Sequence, residues 1–526
     1  MVRAGGEMEQ PRIEELILAV ELLAMTGGNS EAMFNAHARL VDAADDEESE
    51  AALIKAIELA EGIEAKCLPE HACLIRYNRS NAWAALHSIR SRPENVWSWE
   101  QPELLEQVYW LRAAIQHEGY AKLSRPRRAQ LHCNLGNALS SAGRFVDALP
   151  EWRQALKEQP ILGMARGNLG KGLVRYGMAL YDEGHTYWFL RFGQLELSKA
   201  VSGGVGRDGA TYQDALAHFG GCLADVEHLL TAYNGTANDV LPTYSMGSSK
   251  GEQRYRQWCL ERHLFLNPLN DLGAESVAAQ DVLSLPSHSA NQAGITFLAF
   301  FNQLKQEYSY ARWCLYEGTK AQRVHLADRS TILTFNSDYA YYSMALEQVK
   351  TAFRCAYSLL DKVAYFINAY WRLGIPETSI YFRTIWYDTS NGKTRQVRQT
   401  FETSENLPLR GLFWLSKDIY SDLLREVAHP NAKDLCSLRN HLEHKHVKVI
   451  DSLGLLSSQS DMWSDNLAHK VERVEFQAKT ENLLLLSRSA LIYLCLAMHS
   501  NEQRAQDSSD VTLPFDVGIY PVDLKV

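Results

Sequence analysis

Leu438-Arg439-Asn440-His441-Leu442-Glu443-His444 is the stretch on which the reading of this chain turns. It sets a permanent cation, an amide and an imidazole within two turns of one predicted helix. Asn431 follows Pro430 and can cap that helix, and Leu435, Leu438 and Leu442 fall at three- and four-residue steps on the way to Val447, which predicts a helix over about 431–450. At about 100° per residue, Asn440 and His444 share a face because they are four apart. Arg439 sits roughly 140° round from His444, so only the length of its side chain lets it lean back toward that histidine.

Composition frames this helix. At 526 residues the chain is long enough for two or three domains with full cores, and 46% hydrophobic with 22% charged residues is the balance of a globular protein. The net charge of −10 argues against broad, nonspecific nucleic-acid binding, so a polyanion must be met by a local basic patch. The nine cysteines are scattered and include no Cys-x-x-Cys pair, which points away from zinc and redox work and toward a reducing cytoplasm. Met1 to Gln10 lacks a basic-then-apolar leader pattern, which weighs against secretion. The most apolar window, Leu483 to Met498, contains Arg488 and reads as a buried core helix, so no membrane partner is expected.

The first organised feature along the chain is periodic. Leu135-Gly136 recurs as Leu169-Gly170, a spacing of 34 residues, and Ala148, Trp152, Ala155 and Pro160 fall between them. Small residues at Gly136 and Ala148 let two antiparallel helices approach, Trp152 fills the space between them, and Pro160 stops the second helix. This pattern resembles a tetratricopeptide repeat. Amphipathic segments Ala52 to Ile63, Leu74 to Leu86 and Leu104 to Ile115 suit further, irregular repeats. A repeat-like helical solenoid is therefore expected over 1–235, with a protein or peptide partner on its surface, then a connecting segment over 236–285, whose start is rich in Gly, Ser, Thr and Asn. A second helical unit is expected over 286–526.

Within that unit, helical patterns return at Gly294 to Glu317 and Ala340 to Trp371. The period then changes: Ser379 to Tyr387 and Thr394 to Phe401 alternate like strands around Asn391-Gly392, predicting a hairpin over about 379–401. A last long helix is predicted over about 471–500. The fold class is all-α, a helical solenoid followed by a helical bundle with a small hairpin insertion.

The order Arg439-Asn440, three residues, then His444, on a helix ahead of a long closing helix, resembles the signature of the HEPN domain. Trp258 to Leu272, with Leu264-Phe265-Leu266-Asn267-Pro268-Leu269-Asn270-Asp271, is similar to a stretch found in bacterial proteins that join such repeats to a HEPN domain. The resemblance implies a bundle that cleaves RNA without metal or other cofactor. His444 would take the proton of a ribose 2′-hydroxyl, Arg439 would stabilise charge on the phosphorane-like transition state, and Asn440 would orient substrate or imidazole. It also implies a homodimer or higher oligomer in which two signatures share one cleft, and products ending in a 2′,3′-cyclic phosphate and a 5′-hydroxyl.

Around the signature, His441, Lys445, His446 and Lys448 add positive potential for RNA, and no metal is expected on His441 and His444 because no His-Glu-x-x-His order or cysteine partners accompany them. Arg383, Lys393, Arg395 and Arg398 are interleaved with Tyr381, Phe382, Trp386 and Tyr387, which offers either a second RNA surface or a half-buried hairpin with solvated charges. Gly204 to Gly209 matches a dinucleotide fingerprint by letters only, since no strand precedes it, and Gly247 to Gly251 lacks the spacing of a phosphate loop. The leading expectation is a dimeric cytoplasmic ribonuclease, a toxin or antiphage effector whose repeats sense a partner. The alternatives are a noncatalytic scaffold that binds RNA or nucleotide, and a regulatory subunit neutralised by a neighbouring transferase or antitoxin.

Overall fold

The computed structural model describes residues 12–27, 29–203, 211–233, 240–287, 294–334, 340–388, 396–427, 435–450 and 468–506, with 519, 521 and 525. Its helices follow in chain order: α1 Ile13–Thr26, α2 Ser30–Asp46, α3 Glu50–Glu64, α4 Pro69–Arg90, α5 Pro102–Ile115, α6 Arg125–Ser141, α7 Phe145–Glu158, α8 Gly163–Ala179, α9 Glu183–Ser202 and α10 Gln213–Leu230 form the first half. The second half holds α11 Lys250–Glu261, α12 Gly294–Lys320, α13 Met344–Tyr370, the short α14 Gln399–Glu402, α15 Leu407–Tyr420, the short α16 Leu424–Val427, α17 Leu435–His444 and α18 Arg473–Gln506. Among the described residues there are also two small sheets. β1 Tyr387–Asp388 pairs antiparallel with β2 Gln396–Val397, and β3 His446–Ile450 pairs parallel with β4 Ala468–Glu472.

Local chemistry sets many of these boundaries. The side chains of Asn29, Asp182, Ser249, Ser343 and Asn406 accept hydrogen bonds from first-turn amides of α2, α9, α11, α13 and α15. Pro69 and Pro102 open α4 and α5, where the missing N–H costs nothing.

Helices α1–α10 pack in sequence, each against its neighbours, as a repeat-like array. Trp152 of α7 is the wedge. A Cβ on Gly136 of α6 would lie 2.6 Å from its indole nitrogen, and one on Gly172 of α8 would lie 2.3 Å from the far side of the ring. The indole N–H donates to Asn137 Oδ1 at 2.9 Å, so the polar edge is satisfied while the ring is buried.

The first four helices enclose their own small core of Leu16, Val20, Leu40, Leu53 and Ile63. Its one buried histidine, His37, places Nε2 3.0 Å from the Ala56 carbonyl and Nδ1 3.3 Å from the Asn78 amide nitrogen. The carbonyl can only accept, so Nε2 carries the proton and Nδ1 accepts from Asn78. Burial lowers the His37 pKa to about 4. A depressed folded pKa means the unfolded chain takes up the proton first, so this stability is whole above about pH 6.5 and is lost as pH falls toward 4. Protection factors of the α1–α4 amides, taken against the intrinsic exchange rate at each pH, are expected to fall at pH 5 relative to pH 7, and His37→Gln should flatten that dependence.

From α4 onward a single apolar core runs through both halves of the chain, from Cys73 to Met498. α18 is its axis. Leu483, Leu484 and Ala490 to Met498 are buried, and the helix packs on α12, α13 and α15 while also touching α8 of the array. It has the length and apolarity of a membrane span, but 83% of its most apolar window is buried within the fold, which is the behaviour of a core helix.

The connecting segment is more structured than its composition predicts. Leu264, Phe265 and Leu266 are buried, Arg312 of α12 forms a two-pronged ion pair with Asp281 at 2.7 and 2.8 Å, and its guanidinium also donates to the Leu264 carbonyl. Among the described residues the predicted hairpin is the two-residue ladder β1–β2, and ahead of it Phe382, Ile385 and Trp386 are all buried instead of alternating, with the Trp386 ring against those of Trp99, Phe401 and Phe413. Asn391-Gly392, Lys393 and Arg395 lie outside the described residues. Two further expectations are corrected. The motif helix ends at His444 instead of running to 450, and the last helix begins at Arg473 and runs to Gln506 because Val471 and Glu472 belong to β4.

Candidate active site

The signature lies where helix turns directly into strand. In α17, Leu435 and Leu438 are buried and fix the helix against α13, leaving Asn440, Glu443 and His444 exposed. Lys445 alone separates the helix from β3, where Val447 and Val449 are buried and His446 is exposed. The alternation His446, Val447, Lys448, Val449 is that of a strand with one inward face. Tyr341 donates to the Val449 carbonyl at 2.8 Å, and Ala340 bridges Ile450, so the far edge of β3 is also held.

The signature side chains divide into two groups. Arg439 is half-buried, donates to Asn440 Oδ1 at 3.3 Å, and leans toward α13, with its guanidinium carbon 5.7 Å from the centre of the Tyr357 ring. The same helix presents Asp361. Burial raises that carboxyl above the usual carboxylate range, while the Phe382 amide at 3.0 Å and the positive field of Arg439 pull it back. His444 stands in solvent at the C-terminal end of the helix, and among the described residues no hydrogen bond or ion pair joins it to Arg439.

His441 forms the second group. Its Nδ1 lies 2.7 Å from the Ser437 carbonyl one turn back, and its ring centre is 5.1 Å from that of His469 on β4. Val447 pairs in register with His469, so the parallel ribbon carries His469 to α17. Lys448 likewise pairs with Lys470, on the face shared with His446. The sequence reading named Lys448 and His446 but missed Lys470, His469, Tyr357 and Asp361; the stretch Ala468-His469-Lys470-Val471 does not alternate, so no local strand signal pointed to the first two.

The hairpin candidates do not join this site as a set. Arg383 and Tyr381 are exposed, whereas the Arg398 side chain donates to the Ile385 carbonyl at 2.8 Å and holds the base of the ladder. Burial lowers its pKa. Phe382 and Trp386 are core residues, unavailable for stacking on bases.

Among the described residues no three His, Cys, Asp or Glu side chains are grouped to share a metal ion. What the site offers is a guanidinium, an amide and two imidazoles on one short helix, with lysines on the ribbon that follows it.

No curated protein and no solved structure matches the chain. Residues 289–501 match the family described as LA2681-like HEPN, a span that takes in α12 to most of α18 and both sheets. Over this span the chain is similar to an LA2681-like HEPN domain, and a helical, repeat-like array precedes it.

Proposed function

We propose that this protein is a metal-independent endoribonuclease acting through Arg439, Asn440 and His444. The observation that carries the reading is the exposure of His444 at the end of a helix whose Arg439 and Asn440 are hydrogen-bonded to each other, inside the matched domain. The exposed imidazole of His444 removes the ribose 2′-proton, and the 2′-oxygen attacks phosphorus. The arginine fork meets the nonbridging oxygens. Lys445, His446, Lys448 and the exposed Arg383 draw the phosphate backbone toward an otherwise acidic protein. The chain acts in the cytoplasm as a homodimer or higher oligomer whose two signatures face a common cleft, serving as a toxin or antiphage effector.

The repeat-like array is the sensing half, and a protein or peptide partner binds there. A cleft of about 500 Å³ between α3, α4 and α5, lined by Glu61, Glu64, Arg76, Arg79, Tyr109 and Trp110, is the concave surface that favours this assignment. Arg79 stacks 3.4 Å above the Trp110 ring, and Gln116, just after α5, hydrogen-bonds the Val427 carbonyl of α16. A ligand in the cleft therefore bears on the helix that leads toward the signature.

A second reading, a noncatalytic scaffold, is favoured by one observation: Arg439 is drawn toward Tyr357 and Asp361 and not toward His444. His444→Ala separates the two. The residue is exposed, so stability should stay within about 0.5 kcal/mol of the wild type. Purified full-length chain is expected to cut RNA to fragments with 2′,3′-cyclic phosphate and 5′-hydroxyl ends, and the variant to lose that cleavage while keeping its oligomeric state. Equal cleavage by both proteins, or none by the wild type, would leave the scaffold standing.

A further inference from the structure

Cleavage by 2′-hydroxyl attack needs an acid for the departing 5′-oxygen as well as a base for the 2′-proton. We infer that His441 is that acid, held in place by Ser437 and His469, so that one protomer carries both proton-transfer groups. This rests on the ribonuclease reading above.

His441 and His444 are three residues apart on α17, which places their Cβ atoms about 5–6 Å from each other on neighbouring tracks of the helix surface. Their environments differ. His444 is exposed and accessible to a ribose hydroxyl, whereas His441 is half-buried between α17 and β4. The Ser437 carbonyl, 2.7 Å from Nδ1, accepts only, so Nδ1 is the protonated nitrogen of His441 and Nε2 is the one that exchanges a proton with substrate. The His469 ring, tilted 38° at 5.1 Å, limits rotation of the imidazole about that bond. A ring tied at one nitrogen and flanked on one side is what a directed proton transfer requires, since the donating atom has to meet the leaving oxygen as the bond breaks. His469 acts through His441 and is a positioning residue.

In the step itself, the 2′-O–H proton passes to a His444 nitrogen and the 2′-O–P bond forms. The P–O5′ bond breaks, and O5′ takes the Nε2 proton of the His441 imidazolium. The products are a 2′,3′-cyclic phosphate and a 5′-hydroxyl. The two imidazoles end with their protonation exchanged, and water resets them.

The experiment compares an ordinary RNA with one carrying a single bridging 5′-sulfur at the cleaved linkage, whose thiolate leaves without a proton. His441→Asn is the variant, because the asparagine amide keeps an N–H donor for the Ser437 carbonyl and so preserves the local fold. On the oxygen RNA, His441→Asn is expected to lose at least about 100-fold in rate. On the sulfur RNA it should return to within about tenfold of the wild type. His444→Ala should stay inactive on both. His469→Ala should show a smaller version of the His441 pattern, and His469→Phe, which keeps a flat ring in place, should restore much of the rate. Full activity of His441→Asn on the oxygen RNA, or equal losses on both substrates, overturns the assignment while leaving a nuclease. A wild-type chain inert on both substrates overturns the nuclease reading and this inference together.

Discussion

Asp418→Asn is expected to destabilise the protein by about 3–5 kcal/mol, because it leaves buried guanidinium groups without their anion. Asp418, 4% exposed on α15, receives Arg112 of α5 through both oxygens at 2.7 and 3.1 Å, and Arg144, just ahead of α7, on the second. Arg144 keeps Asp147 at 3.1 Å, whereas among the described residues the one ion pair of Arg112 is with Asp418. The two arginines hold the Asp418 pKa at about 2 against the upward push of burial. The folded carboxyl titrates below the unfolded one, near 3.9, so the contribution is full above about pH 4 and is lost as pH falls through 2. Urea unfolding at pH 7 should show the loss directly, and the gap between wild type and variant should narrow from pH 4 to pH 2. A difference under about 1 kcal/mol at pH 7 would show that the triad is replaceable by water.

Arg488→Met should cost a similar amount, about 3–5 kcal/mol, by stranding Asp271. The guanidinium sits in the middle of α18 and spends its donors on Asp271 at 2.7 and 3.1 Å and on the carbonyls of Phe265 and Asn267 at 2.6 and 3.0 Å. Tyr176 of the array adds a hydrogen bond to the same carboxylate at 3.1 Å. One arginine thus ties the closing helix to the connecting segment, and its partner ties that segment to α8. Asp271→Asn in the Arg488→Met background removes the stranded charge, so the double variant is expected to be more stable than Arg488→Met alone. Additive losses in the cycle would contradict a coupled buried pair.

The helical class, the repeat-like array and the HEPN resemblance of the second unit were legible because each is written in local spacing. Gly136, Ala148 and Trp152 lie within one repeat length and encode the wedge that the packing displays, whose far side meets Gly172 of the next helix. The overextension of the motif helix came from Val447, whose apolarity suits a helix or a strand face equally. The deciding signal was the period-two run from His446 to Val449, outweighed by the leucines before it. β4 and His469 were less legible for a different reason. Parallel pairing joins residues more than twenty positions apart, and nothing local announces the partner. Which aromatics of the hairpin face inward was less legible for the same reason: whether Trp386 faces solvent or Trp99 depends on the segment just ahead of α5, hundreds of residues earlier in the chain.

The continuous core has a consequence for signalling. A receptor arm hinged to an effector can swing, but here Asp418 and Asp271 rivet the arm to the body, and Gly411 of α15 sits so close to the Gly143 carbonyl that a Cβ would be 2.5 Å away. On the proposed sensing role, a message received on the array would travel as a slight sliding of interlocked helices. Such a relay needs neither release of the arm nor proteolytic trimming, and severing the polypeptide between the halves is expected to yield two sticky fragments instead of a freed C-terminal domain.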